Sequence, residues 1–218
     1  MPARRSSAAS TLVLCPTPLE LRHLEGSGSI TLCGFGPVVP AARTAALIAE
    51  HRPDRVVLIG IAGTYDASRL APGSALEFGG VMIDGVGVGE GDAFIAPAAL
   101  GFPQWHDSVP PIIDSLTLAA GGDAHDRVLL TVCAASADDA QARRRRARFP
   151  SAVAEDMEGF AVAVACALAG VPLRIVRGIS NVAGNRDTRS WCIAPALHAA
   201  RARLESLLQS DTGWSTPA

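Results

Sequence analysis

Short apolar runs alternate along the chain with segments whose apolar positions recur every three to four residues. The runs at 11–15, 30–33, 55–61, 75–81, 127–132, 152–154 and 173–179 predict strands, several of them apolar on both faces. The helix-period segments are 38–51, a weaker 112–119, 137–148, 158–169 and 193–209. Alternation of this kind predicts an α/β layer structure with a largely parallel central sheet. Gly and Pro cluster with little periodicity at 85–111, a loop long enough to be functional or mobile. No repeat is evident, and no linker splits the chain.

The length of 218 residues suits one domain. The pattern assigns a flexible N-terminus to 1–10, a single catalytic domain to 11–210 and a tail to 211–218. Apolar residues make up 49% and charged residues 18%, with a mean hydropathy of +0.26, which excludes general disorder. Arg4, Arg5 and the residues to Cys15 only faintly resemble a signal peptide, because the apolar stretch is short and holds Ser10 and Thr11. The uncharged stretch 159–173 is fifteen residues and is broken by Gly170-Val171-Pro172, too short to span a bilayer. A cytoplasmic protein with no membrane partner is expected.

A net charge of −2 offers polyanions no general attraction, so nucleic acid is not an expected partner. All nineteen basic residues are Arg, and without Lys there is neither Schiff-base chemistry nor a P-loop lysine. Arg143 to Arg146 with Arg148 reads as a solvated helix end. The five cysteines (Cys15, Cys33, Cys133, Cys166 and Cys192) are odd in number and scattered, which fits small buried hydrophobes in a reducing compartment. There is no Gly-x-Ser-x-Gly elbow, no Cys-x-x-Cys, no His-Glu-x-x-His and no close pair among His23, His51, His106, His125 and His198. No metal and no cofactor are expected. Gly34-Phe35-Gly36 lacks the third glycine and the following acid of a dinucleotide fold, yet its turn can bring backbone amides close to a ligand.

Two carboxylates stand out by position. Glu20 follows the first strand, and Glu158 opens a helix in Glu155-Asp156-Met157-Glu158-Gly159, so both sit at carboxyl ends of strands, where ligand crevices form. Each also fits a first-turn acid stabilised by the helix dipole. In Arg177-Gly178-Ile179-Ser180-Asn181 an apolar strand ends in small polar residues, and Asn181 there suits a ligand contact or an ordinary turn.

These motifs together resemble the purine nucleoside phosphorylase and methylthioadenosine/S-adenosylhomocysteine nucleosidase superfamily, most closely its futalosine hydrolase branch. The resemblance rests on Gly34-Phe35-Gly36-Pro37, Ile59-Gly60-Ile61-Ala62-Gly63, the run from Phe149 through Met157-Glu158-Gly159-Phe160, and Val171-Pro172-Leu173 through Asn181. It implies a three-layer αβα fold with a mixed, largely parallel twisted sheet, cleavage of a purine N-glycosidic bond, and a homo-oligomer. It further implies that Glu158 clasps the ribose 2′ and 3′ hydroxyls, that Met157 packs beneath the sugar, and that Glu20 activates the attacking water. Gly63 and Ser136 fall beside the base, and Asp156 is a further substrate-side candidate.

Where phosphorylases of this superfamily carry Arg and Ser for phosphate, the chain has Leu58 and Ile61, and an apolar wall cannot solvate a dianion. Water is therefore the expected nucleophile. Adenosine-type relatives place Asp at the position of Asn181. An amide there donates to a 6-oxo group and accepts from a protonated N7, favouring hypoxanthine or guanine. The resemblance thus implies release of hypoxanthine from futalosine in menaquinone biosynthesis, with an adenosine-type nucleosidase or 6-oxopurine phosphorylase as the alternative enzymes. A non-catalytic nucleoside binder is the alternative of another class. Futalosine adds a 5′ keto chain ending in a carboxyphenyl group. Trp191, Phe94 and Tyr65 are candidate walls for it, and Arg186 or Arg189 a candidate carboxylate partner.

Overall fold

A computed structural model describes residues 9–26, 28–120, 124–210, 212 and 214. Most of the segments expected to be a flexible N-terminus and a tail lie outside the described residues. The element order is β1 (Thr11–Cys15), α1 (Pro18–Leu21), β2 (Ile30–Leu32), α2 (Val38–His51), β3 (Arg55–Thr64), β4 (Ala75–Phe78), β5 (Gly80–Asp84), α3 (Pro97–Leu100), β6 (Ser115–Thr117), β7 (Val128–Val132), α4 (Asp139–Arg148), β8 (Ala152–Asp156), α5 (Gly159–Ala169), β9 (Leu173–Val182) and α6 (Ile193–Leu208).

The strands form one mixed sheet in the order β2-β1-β3-β8-β7-β5-β6, with β9 pairing both β3 and β4. Period-two alternation places successive residues on opposite faces. Leu12, Leu14, Val56 and Leu58 pack with Leu47 of α2 and Phe160, Val162 and Cys166 of α5. Val13, Cys15, Val57, Ile59 and Val176 pack with Leu197, Ala200 and Leu204 of α6. Leu130 and Val132 pack with Phe149, just after α4. Two helical layers therefore enclose the sheet, which explains strands that are apolar on both faces.

Two sequence expectations are corrected. The weak helix expected at 112–119 is instead β6, an antiparallel edge strand on β5 with Leu116 opposite Val81. Ser115, Leu116, Thr117 and Leu118 alternate with period two, and that alternation outweighs the helical spacing of the isoleucines before it. The strand expected at 75–81 is two strands, β4 antiparallel to β9 and β5 parallel to β7. The chain changes neighbours at Gly79, where a Cβ would come within 2.5 Å of the Ala124 carbonyl oxygen and His125 Cα.

One topological feature makes the site. β9 runs along one edge of β3 from Val56 to Thr64. On the other edge, β1 pairs with Arg55 to Leu58 and β8 with Gly63 and Thr64. The edge at residues 59–62 therefore lies between two departing strands, a gap into which side chains from α1, β8 and β9 converge.

Candidate active site

A cavity of about 290 Å³ opens at this gap, and its lining includes Thr17, Glu20, Gly63, Glu155, Asp156, Met157, Glu158, Asn181, Arg186 and Trp191. Six of the seven site residues expected from sequence are thus brought together. The seventh, Ser136, is fully buried behind the wall, where its N–H and hydroxyl both hold the Glu155 carboxylate.

Glu20 is presented by the single turn of α1. Thr17, in extended backbone, caps that turn by accepting the Glu20 N–H at 3.3 Å, and Pro18 pre-sets its first residue. The Thr17 hydroxyl also donates to Glu20 Oε2 at 2.5 Å, and the Ile61 N–H on the free edge of β3 donates to Oε1 at 2.9 Å. The carboxylate is pinned from both sides while its remaining lone pairs meet the cavity.

Behind it lies a fully buried guanidinium. Arg177 of β9 donates through Nη2 and Nε to Asp156 Oδ2 at 2.5 and 3.1 Å, and through Nη2 to Glu158 Oε2 at 3.3 Å. Its Nη1 has no hydrogen-bond partner among the described residues. Thr131 and the Gly159 N–H complete the shell of Asp156, whose side chain is wholly covered. That carboxylate holds Arg177 and the start of α5 and has little left for a ligand.

Glu158 sits just before α5. The turn at Gly34-Phe35-Gly36, made with positive φ at both glycines, aims the Gly36 N–H at Glu158 Oε1, 3.2 Å away. Burial pushes the Glu158 carboxyl up to about 8; the negative charges of Asp156 and Glu20 add to the rise, and Arg177 opposes it. Glu20, Asp156 and Glu158 together face one guanidinium, so ionisation of all three leaves the cavity with surplus negative charge, suited to a developing cation. Burial also pushes the Cys15 and Cys33 thiols up to about 12, which removes them as nucleophiles.

At the other end, Gly63 pairs with Glu155 on β8 and with Asn181 on β9. Asn181 Oδ1 accepts from the Ser180 hydroxyl at 2.7 Å, and Nδ2 donates to the Val182 carbonyl at 2.8 Å. One acceptor position and one N–H of the amide remain.

Sequence reasoning passed over Glu155 and Arg177. Glu155 falls in β8 only because the strand continues two residues past the apolar run. Arg177 carried a local signal, a cation inside a strand buried on both faces, which needs a carboxylate partner. The reading of the arginine run as solvated is also corrected. Arg145 is buried against Asp84 and Glu155, and Arg148 also pairs with Asp84. Positions 145 and 148 share a helix face that turns toward β5.

Of the residues considered for a 5′ group, Trp191 and Arg186 line the cavity, the guanidinium 5.1 Å from the indole centroid. Tyr65 instead donates to Glu155, Phe94 lies under Arg148, and Arg189 is bound to Asp187. All five cysteines are free. Among the described residues no cluster of His, Cys, Asp and Glu could hold a metal ion, and no helix is long and apolar enough to cross a membrane.

A futalosine hydrolase of Streptomyces coelicolor is 34% identical over 90% of this chain and 85% of its own length. One from Acidothermus cellulolyticus is 35% identical over 82% and 73%. The crystal structure of a 5′-methylthioadenosine/S-adenosylhomocysteine nucleosidase from Colwellia psychrerythraea in complex with adenine shares the fold, with a TM-score of 0.75 and 21% identity over 93% of this chain and 96% of that one. The sequence pattern of the phosphorylase superfamily matches residues 23–209, and the chain belongs to that superfamily.

Proposed function

We propose that this protein is a futalosine hydrolase, cleaving the N-glycosidic bond of futalosine with water to release hypoxanthine and dehypoxanthine futalosine, a step of menaquinone biosynthesis. The observation that carries the reading is the placement of the Asn181 amide across bare Gly63 at one end of the cavity and the doubly pinned Glu20 at the other. The two curated relatives described above are futalosine hydrolases.

In this reading the purine lies over Gly63 and the ribose over Met157, with the 2′ and 3′ hydroxyls donating to Glu158. The water oxygen bonds to C1′ as its proton passes to Glu20. The C1′–N9 electron pair leaves with the purine, whose N7 takes a proton from solvent. Asn181 then accepts from N7–H and donates to O6. The carboxylates oppose the positive charge that develops on the sugar. Water is favoured over phosphate because Leu58 is buried in the core, Ile61 is apolar, and Arg177 is already paired with two carboxylates, Asp156 and Glu158.

The setting of this reading is cytoplasmic, and the assembly a homo-oligomer. Exposed apolar side chains at Phe35, Val38, Val39, Phe102 and Trp105 support self-association. Incubation of the purified chain with futalosine in phosphate-free buffer tests the activity. The expected result is hypoxanthine release. Turnover of methylthioadenosine alone, or strict dependence on phosphate, overturns it.

A further inference from the structure

Glu155 is a cavity-lining carboxylate for which the mechanism above has no task. It is 5% exposed, and every partner it has is a donor. Oε1 accepts the Ser136 N–H at 2.8 Å, while Oε2 accepts the Ser136 hydroxyl at 2.7 Å and the Tyr65 phenol at 2.9 Å. Arg145 Nη1 stands 3.6 Å from Oε2 and donates to the Ser136 hydroxyl at 2.9 Å. Burial and the neighbouring carboxylate push the Tyr65 phenol above its ordinary range, so it remains a donor. Glu155 is thus fixed in place, and what it still offers the cavity is acceptor capacity on Oε1.

Its position gives that capacity a direction. Glu155 and Asn181 are the cross-strand neighbours of Gly63 on opposite sides. Paired residues project from the same face, and strands lie about 4.8 Å apart, so the two Cα atoms flank the glycine about 10 Å from each other. With no side chain on Gly63, a flat bicyclic base has a slot with an amide at one end and an acceptor-only carboxylate at the other. We propose that Glu155 reads the N1–H of a 6-oxopurine and is a specificity-determining residue of this site.

Hypoxanthine carries a hydrogen on N1 and satisfies the carboxylate. Adenine presents a bare N1 lone pair there and leaves a buried charged acceptor facing another acceptor, a mismatch that costs more than a missing contact. Asn181 then reads the N7 and O6 side of the base and Glu155 the N1 side, from opposite ends of the slot. The inference rests on the proposed purine-hydrolase reading and deepens it by stating which tautomeric edge the site demands.

The test begins with the wild-type full chain, by calorimetric titration with hypoxanthine, 1-methylhypoxanthine and adenine. Hypoxanthine is expected to bind at least tenfold more tightly than either of the others, within the roughly 5- to 150-fold range of a well-formed base-edge contact. Glu155→Gln replaces one acceptor oxygen with a donor. Its ratio of kcat/KM for 6-oxopurine over 6-aminopurine nucleosides is expected to fall at least tenfold. Equal affinity for hypoxanthine and 1-methylhypoxanthine overturns the proposal whether or not the variant folds. So does an equal loss on both substrate classes with an unchanged ratio. A wild type that releases adenine and no hypoxanthine refutes the functional reading itself, whereas one that releases hypoxanthine but ignores the N1 methyl group refutes only the role of Glu155.

Discussion

Gly60 is where β3 passes between the proposed base and the buried cation, and Gly60→Ala tests that arrangement. A Cβ at this position would lie 2.6 Å from Glu20 Oε1, closer still to Arg177 Nη1, and 3.1 Å from Pro16 Cδ. Ordinary contact begins near 3.4 Å, so Glu20 must retreat by 3.4 − 2.6, about 0.8 Å. Arg177 is wholly buried and bound to Asp156, so the carboxylate on its single helical turn is the softer partner. A displacement of about 1 Å at a reacting group costs on the order of 10²-fold in rate. The overpacking itself costs about 1–3 kcal/mol, or about 2–12 °C in Tm for a domain of this size. The expected result is a kcat for futalosine reduced about 100-fold with KM within threefold, measured by hypoxanthine release beside a thermal melt. A variant with kcat within threefold of wild type refutes the claim that Gly60 keeps Glu20 in place.

Gly63→Ala is the counterpart: its Cβ would sit at 3.4 Å from Asn181 Nδ2 and Ala183 Cα, tolerable for the fold, so stability holds while hypoxanthine affinity drops about tenfold, read by titration. Thr17→Val removes the hydroxyl that pins Glu20 and lowers kcat about 10- to 100-fold with KM little changed, whereas Thr17→Ser restores it; a similar loss in both variants would contradict a positioning role. In the proposed reading Glu158 accepts the ribose hydroxyls as an anion, and its carboxyl is pushed up to about 8, so kcat/KM is expected to rise with pH and to be half-maximal near 8; a flat profile from pH 6 to 9 refutes this. The limb in kcat lies lower, since the bound hydroxyls stabilise the anion. Arg186→Ala raises KM for futalosine about tenfold and leaves inosine unaffected, measured by steady-state kinetics on both substrates.

The layered fold was legible because its strands are apolar on both faces and alternate with amphipathic helices. Glu20 and Glu158 were legible because strand ends followed by helix starts carry positional meaning. Long-range charge pairing leaves no such mark. Arg145 finds Asp84 across 61 residues, and Tyr65 finds Glu155 across 90, so no local period reveals either pair. The break at Gly79 was hidden for a similar reason, since what excludes a Cβ there is the distant backbone at Ala124 and His125. Thr17 escaped notice because its hydroxyl both caps a helical turn and grips the acid three residues on, and only the first role has a sequence signature.

Glu20→Gln measures the central claim most directly, because it keeps the shape of the side chain and removes its ability to take a proton from water. The account predicts hypoxanthine release slowed at least about 100-fold while the dissociation constant for futalosine stays within threefold of wild type. Turnover close to wild type, or an equal loss of turnover and affinity, contradicts it.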